Sequence, residues 1–419
     1  MAIGNNIAYF FSALSLLIIT RILGPTQFGY FSVGFAILLM LVRINDLGTS
    51  SVIQRYAAQT ASKDEVNKIF SYTLKLKVLA AGAMLVLGLL FGQMLSEYLQ
   101  FQHPILIFLA FFLSAATMLY EHLQAMLQSL HRFTQSVGVN LIQSSSKLLI
   151  GCMLLAGTYF GFSLPFQSEQ SITFTVVTFF LYMIAPLVPV LVYKRVVPQW
   201  VQLSFSQDFK KQKKLVSSLA VHSAVGFISI GLLENIDILF AQGYLNSFEA
   251  GLLGGVSRIA LIFNLLAYSL ANVLNTRVAK YRTPESLGPY LSKAWGFLLV
   301  SLIGLASVLP FSDLLLLYSI GPEYMAASFT LQVLLAAAFV SIAITPFAAL
   351  FFSFDAPWYF SISGLGQLFI VLVGNWMFVP VYGIEATAWV RLTARIVLLV
   401  FTISLGLWLY QRTRRQKLA

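Results

Sequence analysis

Apolar residues run along this chain in long stretches broken by short polar segments. A helix needs roughly 20 apolar residues to cross a hydrocarbon core about 30 Å thick, and only helices or closed barrels satisfy their backbone there. The runs have helix length. They predict spans at Ile3 to Thr20, Tyr30 to Leu47, Leu74 to Leu95, Ile105 to Gln124, Val139 to Phe160 and Ile172 to Tyr193. A second set follows at Leu215 to Asn235, Glu249 to Leu274, Ala294 to Leu317, Phe329 to Phe351, Trp358 to Phe378 and Ile384 to Tyr410. The pattern is that of an all-α polytopic membrane protein with about twelve transmembrane helices.

Lys and Arg accumulate in cytoplasmic loops, and alternate loops here agree. Arg55, Lys63, Lys68, Lys75 and Lys77 follow the second span, and Arg132 follows the fourth. Lys194, Arg195, Lys210, Lys211, Lys213 and Lys214 follow the sixth, and Arg277, Lys280, Arg282 and Lys293 the eighth. Arg412, Arg414, Arg415 and Lys417 close the chain. The opposite loops hold Glu97, Glu169, Asp313, Glu323 and Glu385, with Arg21 as their base. Both termini are therefore expected in the cytoplasm. The longest polar connector, Lys194 to Lys214, divides the chain into an N-terminal six-helix lobe (1–198), a basic linker (199–214) and a C-terminal six-helix lobe with a short basic tail (215–419). Its KKQKK run reads as a topology anchor before it reads as a patch for anionic lipid.

Composition sharpens this. Of 419 residues, 58% are hydrophobic and 10% charged, with a mean hydropathy of +0.83. Globular domains are about half apolar and a quarter charged, so a water-soluble enzyme is excluded. A net charge of +11 would suggest nucleic acid in a soluble protein, but here the bases mark topology, and no nucleic-acid partner is expected. The single cysteine, Cys152, forbids an intrachain disulfide or a cysteine metal cluster. The opening MAIGNNIAYFF has no base before its apolar run and no evident cleavage site, so it reads as a retained span. There is no nucleotide loop, His-Glu-x-x-His or serine elbow. The expectation is a transporter rather than an enzyme, with no cofactor and no metal.

The halves echo one another at a fixed offset. With GPTQFGYFSVG set beside NSFEAGLLGG, Gly29 aligns with Gly251, Arg55 with Arg277 and Ala57 with Ala279. Transporters built of repeated bundles show such echoes.

Ionisable residues inside spans cost about 2.5 to 3.5 kcal/mol each on insertion scales, so they face a cavity or a partner. Arg43, Lys147, Arg258, Arg391 and Arg395 qualify, while Asp46 is the one clear acid well inside a span. Helical rise puts Arg258 and Arg395 near mid-membrane and Arg43 nearer the cytoplasm. This imbalance points to an anionic cargo, for which Arg offers a planar fork. Other readings stand beside it. Arg43 and Asp46, three apart on one helix face, could neutralise each other. Arg391 and Arg395, four apart, repel unless an anion or an acid lies opposite. Lys147 reads first as snorkelling towards the cytoplasm. Glu234 and Asp237 read as an exposed pair, as a salt-bridge gate or as an ion-coupling site. His222 is a proton relay or a neutral hydrogen-bonded histidine. Asn272, fourteen residues beyond Arg258, returns nearly to the same face. Pro186, Pro189 and Pro346 interrupt spans, as static bends or as hinges.

The stretch RILGPTQFGYFSVGFAILLMLVRINDLGTSSVIQRYAAQ, with Arg21, Leu23, Gly24, Pro25, Phe28, Gly29, Asp46, Leu47, Gly48, Arg55 and Tyr56, resembles the opening of polysaccharide flippases. These are the O-antigen type of the multidrug/oligosaccharidyl-lipid/polysaccharide exporter superfamily. NIDILFAQGYLNSFEAGLLGGVSRIA and YSIGPEYMAASFTLQVLL are similar to later span junctions of that family. The resemblance implies two six-helix lobes forming a V around a central cavity in a bacterial inner membrane. It implies a polyprenyl-pyrophosphate-linked glycan, carried from the cytoplasmic to the outer leaflet, with Arg21, Arg43 and Arg258 as receiving cations. Membrane lipids, a polysaccharide polymerase and a chain-length regulator are the partners it suggests. A cation-coupled multidrug exporter of the same superfamily is the alternative, and it should present acids in its spans. A repeat-unit polymerase should carry a long outer loop, and none is predicted.

Overall fold

The computed structural model describes residues 2–60, 62–159, 172–205, 208–278, 284–354, 356 and 358–418, and among them every regular element is a helix. In chain order these are α1 (Ala2–Asp46), α2 (Thr49–Val52) running into a π-helical turn (Ile53–Ala57), α3 (Lys63–Tyr98), α4 (Pro104–Ser129), α5 (Phe133–Tyr159), α6 (Ile172–Ile184), α7 (Leu187–Leu191) and α8 (Tyr193–Val196). There follow α9 (Lys210–Tyr244), α10 (Ser247–Val278), α11 (Pro284–Val308), α12 (Ser312–Ser319), α13 (Ser328–Ser353), α14 (Trp358–Tyr382) and α15 (Ile384–Leu418).

Among the described residues, eleven stretches are long and apolar enough to cross a membrane, where the sequence predicts about twelve. The difference lies in α1. Its 45 residues are interrupted at Gly24, whose φ of 65° and ψ of 171° leave helical space, and Pro25 opens the second limb. Proline suits a first helical position because its missing N–H is not needed there. Each limb has about 20 residues, about 30 Å of rise, and is long enough to cross by itself. Gly383, with φ 66°, makes the comparably tight turn between α14 and α15; a side chain is strained in this left-handed region. Pro186 falls in the break between α6 and α7, whereas Pro346 lies inside α13, its carbonyl accepting a hydrogen bond from the Tyr290 hydroxyl at 2.8 Å.

α3 starts about three turns before the expected Leu74. Ser62 caps it by accepting from the Glu65 N–H at 3.5 Å, with Asp64 and Glu65 in the first turn. Ser-x-x-Glu is a capping box, and acids there favour the positive end of the helix dipole. The consequence is that Lys63 and Lys68 lie inside a helix rather than in a loop, with Lys75 and Lys77 further along it.

The chain forms two compact units, residues 1–251 and 252–419. In the first, the second limb of α1 is buried along much of its length, and Phe31 meets Phe179 and Tyr182 of α6 edge to face, with ring centroids 5.5 and 5.9 Å apart. In the second, α13 is the packed axis: 72% of its most apolar window is buried, against 11% for the stretch through α11 and α12. That accounts for α13 being apolar on all sides. Phe351 of α13 stacks on Tyr359 of α14 at 3.8 Å between centroids, and the Tyr359 hydroxyl meets Thr402 of α15 at 2.6 Å.

The sequence echo has a physical counterpart within the first unit. A Cβ on Gly29 would collide with the Ser247 carbonyl oxygen, and one on Gly251 with the Pro25 carbonyl oxygen. The aligned glycines thus pack backbone to backbone. The contact is reciprocal, because Pro25 and Ser247 are related by the same offset as Gly29 and Gly251. The helix succession repeats as well. α3 has 36 residues, and α11, a short 3-10 turn and α12 have 25, 3 and 8; α4 and α13 have 26 each.

The connector before α9 is laid along α3. Asn67 donates to the Trp200 carbonyl at 3.0 Å and accepts from the Gln202 N–H at 3.3 Å, and Ser71 accepts from the Ser204 N–H at 3.0 Å. Lys75 donates to the Phe205 carbonyl at 3.5 Å. Asn67, Ser71 and Lys75 are four apart, hence on one helix face. Lys211 of the KKQKK run pairs with Glu65 at 3.2 Å.

Candidate functional site

The densest buried charge lies where the end of α1 meets α2, α3 and α4. Leu47 and Gly48 both have positive φ, 49° and 71°, which turns the chain from α1 into α2. Asp46 stands at the C-terminal end of α1, the negative pole of the helix, where a carboxylate is disfavoured. Cationic and hydroxyl donors offset this: Lys77 Nζ lies 2.7 Å from Asp46 Oδ1, with 0% and 5% side-chain exposure, and Ser50 donates to the same oxygen. Lys77 also donates to Ser50 at 3.1 Å. One turn back, Arg43 Nη1 reaches Glu121 Oε1 of α4 at 3.2 Å, at 37% and 25% exposure. Gly231 of α9 leaves room for the stem of Arg43, which a Cβ there would strike. Glu121 lies in the field of Lys77 and Asp46 as well as of Arg43. His122, its neighbour, is 3% exposed, and neither ring nitrogen has a hydrogen-bond partner among the described residues.

Arg43 and Asp46 therefore do not neutralise each other; each pairs with a residue of another helix. Sequence position alone does not single out two members of this quartet. Lys77 counts among the bases after the second span, although it falls three residues inside the apolar run from Leu74. Glu121 falls near the end of the predicted span Ile105 to Gln124, and α4 continues to Ser129, two turns beyond it.

A second polar region joins the first limb of α1 to α5 and α6. Asn140 donates to Asn5 at 3.1 Å, Ser12 to Ser144 at 3.0 Å, and the Ser15 and Tyr182 hydroxyls meet at 3.2 Å. Lys147 Nζ sits 4.7 Å from the centroid of the Tyr182 ring. It does not snorkel to the rim: Tyr182 is 1% exposed, so the ammonium points into the protein. Among the described residues no carboxylate pairs with it. A ring face returns about 0.5 to 2 kcal/mol, less than the about 2.5 to 3.5 kcal/mol that a charge costs in mid-span.

In the second unit, Arg258 of α10 is 8% exposed. On α15, Arg395 Nη1 donates to Gln367 Oε1 of α14 at 2.6 Å, while Arg391 lies a turn earlier, half-buried. Arg395 is thus met by a neutral amide of α14. α14 and α15 also enclose a groove of about 410 Å³, lined by Phe378, Tyr382, Glu385, Trp389 and Val390 among others. Asn272 is on α10, but its side chain lies outside the described residues, as does that of His222 on α9.

Of the remaining candidates, Arg21 is exposed on α1 just before the Gly24 turn. Glu234 and Asp237 share α9 but diverge: Glu234 is exposed, whereas Asp237 is 4% exposed. The exposed-pair reading therefore fits Glu234 alone.

A family model described as "Polysaccharide biosynthesis protein" matches residues 1–281. No curated protein sequence matches the chain. Among solved structures, an inward-facing multidrug resistance MATE family transporter of the MOP superfamily aligns with a TM-score of 0.74 at 13% identity, over 97% of this chain and 96% of that one. The lipid II flippase MurJ, in an inward closed conformation, aligns with a TM-score of 0.75 at 14% identity, over 98% and 90%. A MOP superfamily transporter from Pyrococcus furiosus aligns with a TM-score of 0.56 at 15% identity, over 99% and 95%. At these identities the likeness shows a shared transporter fold.

Proposed function

The chain belongs to the family of polysaccharide biosynthesis proteins, and on that premise we propose that it is a flippase for a polyprenyl-pyrophosphate-linked oligosaccharide. It carries the repeat unit from the cytoplasmic to the outer leaflet of a bacterial inner membrane by alternating access, with both termini cytoplasmic and no chemistry on the cargo. A polymerase and a chain-length regulator take over the product. The observation that carries this reading is a guanidinium buried to 8% exposure in a membrane-spanning helix, Arg258, with Arg391 and Arg395 on α15 of the same unit. A pyrophosphate crossing hydrocarbon must exchange water for fixed cations, and Arg presents paired donors to phosphate oxygens. Arg21 and Arg43 extend the basic set in the first unit, and Asn272 adds an amide on the helix of Arg258. The fold of a lipid II flippase supports the same cargo class.

The shared fold with a multidrug transporter makes a cation-coupled drug exporter the second reading. A drug-cation site needs available acids, and Asp46 and Glu121 are each already engaged by an internal cation at 2.7 and 3.2 Å. That favours the anionic cargo.

Replacing Arg258 with Ala is expected to abolish surface polysaccharide at unchanged protein level, and Arg258→Lys to restore part of it. Normal export by Arg258→Ala would remove this residue from the mechanism. For Asp46, Glu234 and Asp237 as gating or coupling groups, flux is measured across proton and sodium gradients. Indifference to both gradients sinks coupling and leaves gating.

A further inference from the structure

Lys147 differs from the paired cations at the end of α1. Arg43 and Lys77 each have a carboxylate within 3.2 Å. Among the described residues Lys147 has none, and its one contact of note is the face of Tyr182. That ring is fixed in place, since its hydroxyl is bonded to Ser15, itself 0% exposed. Lys147 is also partly exposed, and the geometry of α5 says to what. The lipid-facing stripe of α5 is Ile142, Leu149 and Met153, at 37%, 56% and 67% exposure. At about 100° per residue, Lys147 lies about 140° round the helix from Ile142. It shares the opposite stripe with Ser136, Asn140 and Ser144, which carry the polar contacts to α1 and α4. Its exposed part therefore lies on the side of α5 turned away from that stripe, beside α1 and Tyr182 of α6. It lies fourteen residues into a helix of 27, so it stands about 21 Å along its axis, far from either end.

We propose that Lys147 is an anion-binding site at mid-membrane, receiving an oxyanion of the cargo, either a phosphate of the lipid carrier or a carboxylate of an acidic sugar. The site rests on the flippase reading and extends it to a residue on the first unit's fifth helix. A lone ammonium is a point charge with rotatable donors. It holds an oxyanion without demanding one orientation, which suits a group in transit.

The experiment measures binding of two probes to the full-length protein in nanodiscs: undecaprenyl pyrophosphate without sugar, and a uronic-acid disaccharide. Lys147→Met is expected to weaken one of them about tenfold or more, as loss of a charge-assisted contact does, while Lys147→Arg stays within about threefold. Loss for the pyrophosphate identifies the carrier phosphate, and loss for the disaccharide identifies a sugar carboxylate. Wild-type affinity of Lys147→Met for both overturns the site and leaves the flippase reading standing. Should the wild-type protein bind neither probe, the flippase reading falls, and the anionic cargo with it. A second variant guards against misfolding. With Cys152→Ser removing the single cysteine, Lys147→Cys is expected to react with a water-borne thiol reagent and to be shielded by the effective probe. No reaction, or reaction without shielding, contradicts an accessible anion site.

Discussion

Two regions of the first unit hold cations inside spans and treat them in opposite ways. Near the end of α1, Arg43 and Lys77 face Glu121 and Asp46, and the four charges sum to zero. Between α1, α5 and α6, Lys147 faces an aromatic ring and, among the described residues, no acid. A balanced quartet serves as a joint between helices and takes up an ion only by exchanging one of its partners. A cation without a counter-charge is a deficit that a ligand can fill. The same residue type thus reports structure in one place and binding in the other, and the partner across the helix gap decides which.

Substitutions separate the two. Lys77→Met leaves the Asp46 carboxylate buried and unmatched, and is expected to cost about 3 to 5 kcal/mol, read as a lowered thermal transition in detergent. Adding Asp46→Asn should recover most of it. Failure of the double variant to recover would show that Lys77 acts by more than charge pairing. Arg43→Gln is expected to cost less, about 1 kcal/mol, because that pair is partly exposed. Lys147→Met should shift stability by under about 1 kcal/mol in either direction, the lost ring contact being offset by relief of a buried charge. A large loss there would move Lys147 into the structural class. Smallest is Lys211→Ala at the surface pair with Glu65, expected within about 0.5 kcal/mol.

Much of this was legible in the chain. Apolar run lengths predicted the helices, and the Gly24–Pro25 pair marked the turn that divides α1. The offset aligning Gly29 with Gly251 predicted a repeat, and the two glycines touch because a helix crossing at backbone distance admits no Cβ on either side. The arginines of α10 and α15 stood out because charge in an apolar run has no local excuse. Lys77, Glu121 and the docked connector were not legible. Lys77 reads as one of a run of topology bases, and Glu121 sits near the end of its apolar run, because a charge's partner on another helix leaves no mark in its own segment. The connector's contacts to Asn67, Ser71 and Lys75 join residues more than a hundred positions apart in the chain.

The sequence by itself determined the solvent, the helices and the surplus of positive charge, because these depend on transfer energies and backbone spacing that each segment carries alone. Which of those charges are matched was decided only by tertiary structure. Pairing is a distance between different helices, and no single helix records what stands opposite its own side chains.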